Sequence, residues 1–357
     1  MFKIDKFELL TLTILFEIGS TTLFALGFNH AKQDAWISIL IALVLGWGIL
    51  WGYTRIQLTY PDKDLGMIIV TVCGKWIGRP LALLYAIYFF YVSSFNFWEF
   101  GDLMVSSILR GTPLEIILII NLVIVLYAIF LGIEVIARAG LLLIPYFLFF
   151  LLLVFFLIFT LGNIDLNQMK PVLENGIIPV LQGAYEVINV PYGEMVVFLV
   201  YWKYMNNKQK ILKTSIIGVS ISGIMLCISI IVIISGLGIN RVPMATFPLL
   251  NVTSNIKMID ALVVIAIFIG GFFKITLHLY ASVLLIQSLF KKIRLPWIIM
   301  FNGLCLYFFS IFYFESTLFH RWVGFNVFNP YISSGFQIII PSLLGLIIWI
   351  QSSEKGK

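Results

Sequence analysis

Residues 185–194 read Tyr185-Glu186-Val187-Ile188-Asn189-Val190-Pro191-Tyr192-Gly193-Glu194, inside an apolar run at about 179–203. A plain membrane-spanning helix has no use for two carboxylates, a proline and a glycine at its middle. The proline removes a backbone donor, and the glycine two residues later tolerates an unwound chain. Residues 15–23 have the same character: Leu15-Phe16-Glu17-Ile18-Gly19-Ser20-Thr21-Thr22-Leu23 places a carboxylate, a glycine and three hydroxyls at the centre of the first apolar run. The two interruptions lie about 173 residues apart, close to half the chain. Interrupted spans at matching positions of two halves point to a binding site near the membrane midplane.

The rest of the chain fits that frame. Of 357 residues, 61% are apolar and 11% charged, and the mean hydropathy is +1.04. A soluble domain is about half apolar and a quarter charged, so a soluble enzyme and a disordered chain are excluded. An outer-membrane barrel alternates and has no long apolar runs. What remains is an all-α polytopic membrane protein. Ten runs are long enough to span: about 8–28, 35–56, 80–109, 113–131, 140–161, 179–203, 212–236, 259–287, 296–313 and 331–350. The third and eighth are read as tilted. Five runs fall in a first repeat, about 8–161, and five in a second, about 179–350. Because five is odd, the second repeat is inverted.

The longest connections, about 57–79, 162–178 and 237–258, leave no room for a soluble domain, so residues 1–357 read as one transmembrane domain. The first run is read as retained and not as a signal peptide, because Glu17 interrupts it and no small-residue cleavage site follows. Of 23 Lys and Arg residues, sixteen fall on the side of both termini and six on the other, with Lys274 inside a span. That bias makes both termini cytoplasmic. The net charge of +6 sits in short loops with no basic face, which excludes a nucleic-acid partner. Cys73, Cys227 and Cys305 have no metal-like spacing and read as packing residues. No metal and no cofactor are expected.

Unwinding frees backbone groups that lipid cannot satisfy, so they face a cavity or a ligand. Half-helices starting near Ser20–Leu23 and near Gly193–Glu194 would aim positive dipole ends there. An amino-acid carboxylate suits the first, and freed carbonyls suit its ammonium. The blander alternative is a pair of kinks. Charges inside spans mark function by default, and Glu17, Glu99, Asp102, Glu186, Glu194 and Lys274 qualify. Glu99 and Asp102 share a helix face with Asn96, as a polar vestibule or as a structural stripe.

Lys274, in Gly270-Gly271-Phe272-Phe273-Lys274-Ile275-Thr276-Leu277-His278, needs a carboxylate partner. Glu17 is the first candidate and Glu194 the second. The ammonium could replace a cation, carry a proton or hold a fixed ion pair. Thr276 and Tyr280, one helical turn apart, could present hydroxyls to the cavity, while His278 lies on another face. No catalytic motif is present, and no enzyme is expected.

Four local patterns carry a family resemblance: Asp34-Ala35-Trp36-Ile37-Ser38 opening the second helix, Thr112-Pro113 opening the fourth, Gly132-Ile133-Glu134-Val135-Ile136-Ala137-Arg138 in the loop before the fifth, and Pro191-Tyr192-Gly193-Glu194-Met195 at the sixth-helix break. With these the sequence resembles the B subunits of spore germinant receptors. They are endospore germination permeases within the amino acid–polyamine–organocation transporter superfamily.

The resemblance implies a LeuT-type 5+5 inverted repeat with interrupted helices 1 and 6. It implies a place in the spore inner membrane beside an A subunit and a lipoprotein C subunit. The role implied is to bind a small nutrient, often an amino acid, and to signal germination. The pocket of such proteins is lined by helices 1, 3, 6 and 8. That carries over to Gly19, Ser20 and Thr21, to Phe95 and Asn96, to Asn189, Pro191, Tyr192 and Gly193, and to Thr276 and Tyr280. Pro191–Glu194 match the motif directly, and the helix 3 and 8 positions follow helix order alone. Glu17, Glu194 and Lys274 are the candidates for ion or proton coupling, and Lys274 with the Glu99–Asp102 stripe is not mapped by the resemblance. The loop around Gly132–Arg138 is the candidate partner surface. The alternative reading is a working secondary transporter for amino acids.

Overall fold

The computed structural model describes residues 3–19, 21–162, 164–253 and 259–355, so the Ser20 expectation lies outside the described residues. The first helix, α1 (Lys6–Ile18), starts at a capping box. Asp5 accepts from the amides of Phe7 and Glu8, and Glu8 accepts in return from the Asp5 amide at 2.8 Å. It stops after 13 residues at Gly19, whose φ of +28° only glycine adopts without strain. A short 3-10 turn, Thr21–Leu23, continues it.

Then follow α2 (Ala35–Thr59), α3 (Leu65–Ser107), α4 (Leu114–Leu131) and α5 (Ile133–Leu161). The sixth helix, α6 (Ile177–Asn189), is again 13 residues long and ends at Val190–Pro191. A 3-10 segment, Tyr192–Val200, follows with every residue buried. Besides two short helical turns at Phe28–Ala31 and Pro248–Thr253, there follow α7 (Ile211–Leu237), α8 (Ile259–Leu289), α9 (Leu295–Tyr313), α10 (Thr317–Val323) and α11 (Ile340–Lys355), the last two joined by π-helical stretches at Gly324–Ser333 and Gly335–Ile339.

Eight helical segments among the described residues are long and apolar enough to cross a membrane. The two other expected spans are the broken ones, whose α-helical parts are too short to cross alone. Helix α8 forms the centre: 72% of its most apolar window is buried, against 28% in α3 and α5. It packs on α3, α5 and α1, while α1 also packs on α7 and α2 lies against α6 and α7. Outward-facing side chains of the peripheral helices, such as Ile120, Val123, Phe149, Phe156, Phe301 and Phe312, are large and apolar, as lipid requires.

Three expected boundaries are corrected. The connection at 57–79 is largely helical, because Leu65, Ile68 and Ile69 bury against the core and Gly74, at φ +74°, turns the chain into the long part of α3. The stretch Gly132–Arg138 is not a loop. Gly132 alone, at φ +86°, makes the connection, and Glu134 pairs with Arg138 one turn along α5. The last span begins at Thr317 and not near 331. His320, Asn329, Ser333, Ser334 and Gln337 of this stretch are buried and face inward.

On the side of the amino terminus, Ile4 bridges to Met205. Its amide donates to Tyr204 O at 2.9 Å and its carbonyl accepts from Asn206 at 2.9 Å. The start of the first span and the end of the sixth therefore share one face of the membrane.

Candidate ligand-binding site

The break after α1 touches α8 through two glycines. A Cβ on Gly270 would meet Gly19 Cα at 2.7 Å, and a Cβ on Gly19 would meet Lys274 Cδ at 3.2 Å. The carbonyls left over at the break are collected by hydroxyls. Thr21 donates to Glu17 O at 2.6 Å and to Ile18 O at 2.5 Å, and Ser229 on α7 donates to Thr22 O at 2.7 Å. This is the compensation that a broken membrane helix demands.

The break after α6 is held from the last helical segment. Ser334 Oγ donates to Asn189 Oδ1 at 2.9 Å and lies 2.7 Å from the Tyr185 hydroxyl, which donates to Pro330 O at 2.8 Å. From α2, Tyr53 donates to Gly193 O at 3.2 Å. A Cβ on Gly193 would run into the Gln337 side chain and lie 2.9 Å from Ile188 O, so glycine is required there by space.

The two breaks are tied together by charge. Lys274 Nζ lies 2.6 Å from Glu194 Oε2, with both side chains almost fully buried, and 5.8 Å from the centre of the Phe16 ring. Glu194, the second candidate, is thus the partner. Glu17 is fully buried, and neither carboxylate oxygen has a hydrogen-bond partner among the described residues. His278 is a packing residue: Nδ1 lies 2.9 Å from Lys274 O and the ring lies against Phe16.

Above the pair opens a small cavity of about 80 Å³. Thr21, Phe24 and Leu26 line it from the chain after the first break. Val92, Phe95, Asn96 and Glu99 line it from α3, Val190 and Glu194 from the second break, and Lys274 from α8. Of the expected residues, Thr21, Phe95, Asn96, Glu194 and Lys274 are therefore brought together on its wall. Gly19, Asn189, Pro191 and Gly193 form the breaks behind that wall. Tyr192, Thr276 and Tyr280 are not among its lining residues. The Tyr192 ring packs on Gly46 and its hydroxyl points at Gly223, so it fills space between α2 and α7. Thr276 is buried in α8, and Tyr280 lies beside Tyr201 and Gly132.

The remaining wall comes from the last helical segment: His320, Arg321, Gly324, Phe325, Phe328, Asn329 and Ser333. His320 stacks on Phe95 at 3.7 Å and its Nε2 lies 3.0 Å from Phe95 O. Gly324 lets the segment close, since a Cβ there would meet Phe95 Cζ at 2.6 Å. Arg321 sits over the faces of Phe24 and Phe247 at 5.7 and 5.8 Å, and Nη1 donates to Ala245 O at 3.3 Å. Its Nη2 has no hydrogen-bond partner among the described residues. The cavity thus carries an ion pair at its base, a guanidinium near its mouth and aromatic faces between.

A sequence model described as spore germination protein matches residues 3–317. The chain belongs to the spore germination protein family. Spore germination protein KB of Bacillus subtilis (strain 168) is 31% identical over 364 residues, covering 99% of this chain and 97% of that one. Spore germination protein XB of Bacillus anthracis is 25% identical, covering 92% of each.

Two similar solved structures, MhsT and Mhp1, are transporters of LeuT fold. MhsT in complex with L-phenylalanine has a TM-score of 0.71 at 13% identity, covering 97% of this chain and 88% of that one. Mhp1, a nucleobase-cation-symport-1 family transporter in a closed conformation with bromovinylhydantoin bound, has a TM-score of 0.65 at 11% identity, covering 96% and 78%. The LeuT-type fold that the resemblance implies is therefore the observed one, with eight spans long and apolar enough to cross among the described residues.

Proposed function

We propose that the chain is the nutrient-sensing subunit of a spore germinant receptor, which binds a small germinant, an amino acid first, in the cavity between the two breaks. It signals from the spore inner membrane to A and C subunits. The observation that supports this best is the cavity itself. In a spore germination protein, two helix breaks meet at a buried ion pair, with apolar aromatic walls and an underused guanidinium above. A zwitterion with an apolar side chain matches all three features. Its carboxylate has Arg321 on the cavity wall, its charged end faces the ion pair at Glu194 and Lys274, and its side chain has Phe95 and Phe328. Catalysis has no place in this reading, and residues 1–357 act as one membrane domain with both termini cytoplasmic.

The two halves of the sensor reading separate in one paired experiment. Labelled amino acids and sugars are offered to purified protein, and the same preparation is tested for uptake in sealed proteoliposomes. Binding without uptake is the expected result, lost in Gly193→Pro and in Glu194→Ala. Saturable uptake that those changes abolish would replace the sensor with a secondary transporter. The similarity to MhsT and Mhp1 keeps that second reading in play, because transport needs the same cavity opening to both sides. A sensor needs only two states of different ligand affinity.

A further inference from the structure

A second cavity, about 880 Å³, runs between α2 and the last helical segment. One wall carries Leu45, Gly48, Gly52 and Arg55, the other Pro341 and Gly345. A Cβ on Gly48 or Gly52 would meet nothing within 4 Å, so the groove floor is open and not packed. The groove has one closed end and one charged end. Beyond Leu45 the helix α2 closes on α6, where Ser38 Oγ donates to Val180 O at 2.8 Å. At the other end, on the side of both termini, Arg55 is exposed and lies 5.3 Å from the Trp51 ring. No carboxylate pairs with it among the described residues. Trp51 and Trp349 flank that end, as aromatics do at a membrane interface.

Length chooses the occupant. From Leu45 to Thr59 the helix rises about 21 Å. One leaflet, half the hydrocarbon core plus its headgroup layer, is about 20–22 Å thick. A crossing helix needs about 30 Å of core and would be stopped by the closure at Ser38. We propose that this groove is a binding site for an anionic phospholipid of the leaflet on the terminal side, with the phosphate at Arg55 and an acyl chain along Gly52 and Gly48. Near the phosphate end the chain passes Tyr53, which lines the groove and whose hydroxyl supports both Gly193 O and Gln337 O. A lipid in the groove therefore braces the second helix break from outside.

The test uses the full chain in detergent micelles, with phosphatidylglycerol or phosphatidylcholine of the same acyl chains titrated in and bound lipid counted by native mass spectrometry. Phosphatidylglycerol is retained about fivefold better than phosphatidylcholine, whose phosphate is offset by its own choline cation: the gain of one net negative charge beside Arg55 near a membrane surface. Arg55→Gln loses that preference, and the double change Gly48→Leu with Gly52→Leu loses both lipids. Equal retention by the unaltered protein, or a preference that survives in Arg55→Gln, overturns the proposal. A photoactivatable phosphatidylglycerol on the unaltered protein gives a readout that no folding defect confounds. Label within residues 45–59 and 337–352 supports the site, and label confined to other helices overturns it. So does disulfide capture, at Gly48→Cys, of a helix from a second copy or another protein.

Discussion

Glu194 and Lys274 meet at 2.6 Å where neither has water to fall back on. Two buried ions gain little over a well-packed apolar pair, but one buried ion left alone costs about 3–5 kcal/mol. Lys274→Met strands Glu194 beside the fully buried Glu17 and is expected to cost that amount in a thermal or denaturant melt. Glu194→Gln is expected to cost a similar amount by stranding the ammonium. Glu194→Leu combined with Lys274→Met should recover most of it, and recovery together with lost ligand response would assign the pair to function. A double variant as unstable as the sum of its parts would show that the two groups do not interact. That Lys274 needs a carboxylate is legible from its place in an apolar run. The choice between Glu17 and Glu194 is not, because each sits at a break. The helical period that assigns faces fails where the helix unwinds, which also hides that the Tyr192 ring turns toward Gly46.

The last span shows the same limit at the scale of an element. Pro341 has no N–H, so an α-helix would leave Gln337 O without its donor and a π-turn would leave Phe336 O without one. Two tyrosines fill these places: Tyr53 on α2 donates to Gln337 O, and Tyr85 on α3 donates to Phe336 O at 2.7 Å. Removing one hydroxyl from a buried carbonyl costs about 1–3 kcal/mol. Tyr85→Phe and Tyr53→Phe are each expected to destabilise by that amount and to speed amide exchange across residues 335–345. Pro341→Ala returns a backbone donor, so the same Tyr→Phe changes should cost less in that background. Equal costs in both backgrounds would sink the idea that the tyrosines stand in for the missing amide. None of this is legible from 317–339 taken alone. His320, Arg321 and Asn329 lie between the last two expected spans, and only the partners on α3 and α6 show that stretch to be a wall. The paired breaks, by contrast, are legible, because a carboxylate beside a glycine or a proline is costly inside an apolar run and persists there where the backbone opens.

Over the whole molecule the cavity is closed unequally. Toward the terminal side stand the ion pair and the wholly buried segment Tyr192–Val200, with Ile4 bridged to Met205 beyond it. Toward the other side, among the described residues, stand the Arg321 guanidinium over Phe24 and Phe247, His320 stacked on Phe95, and Gly324 close against the Phe95 ring. Opening the second barrier breaks aromatic stacking and one guanidinium contact, whereas opening the first means breaking a buried ion pair and repacking a helix. A chain that only senses needs the cheap opening alone. A single cysteine placed at Ser333, on the cavity wall, in a background with Cys73, Cys227 and Cys305 replaced, reads this directly. In oriented proteoliposomes an impermeant thiol reagent should label it from the Arg321 side, and bound nutrient should slow that labelling. It should not label from the terminal side with or without nutrient. Labelling from both sides, exchanged by ligand, would show a cavity that alternates, and the cost of breaking the Glu194–Lys274 pair would then be part of a transport cycle instead of the lock that makes a transporter fold into a sensor.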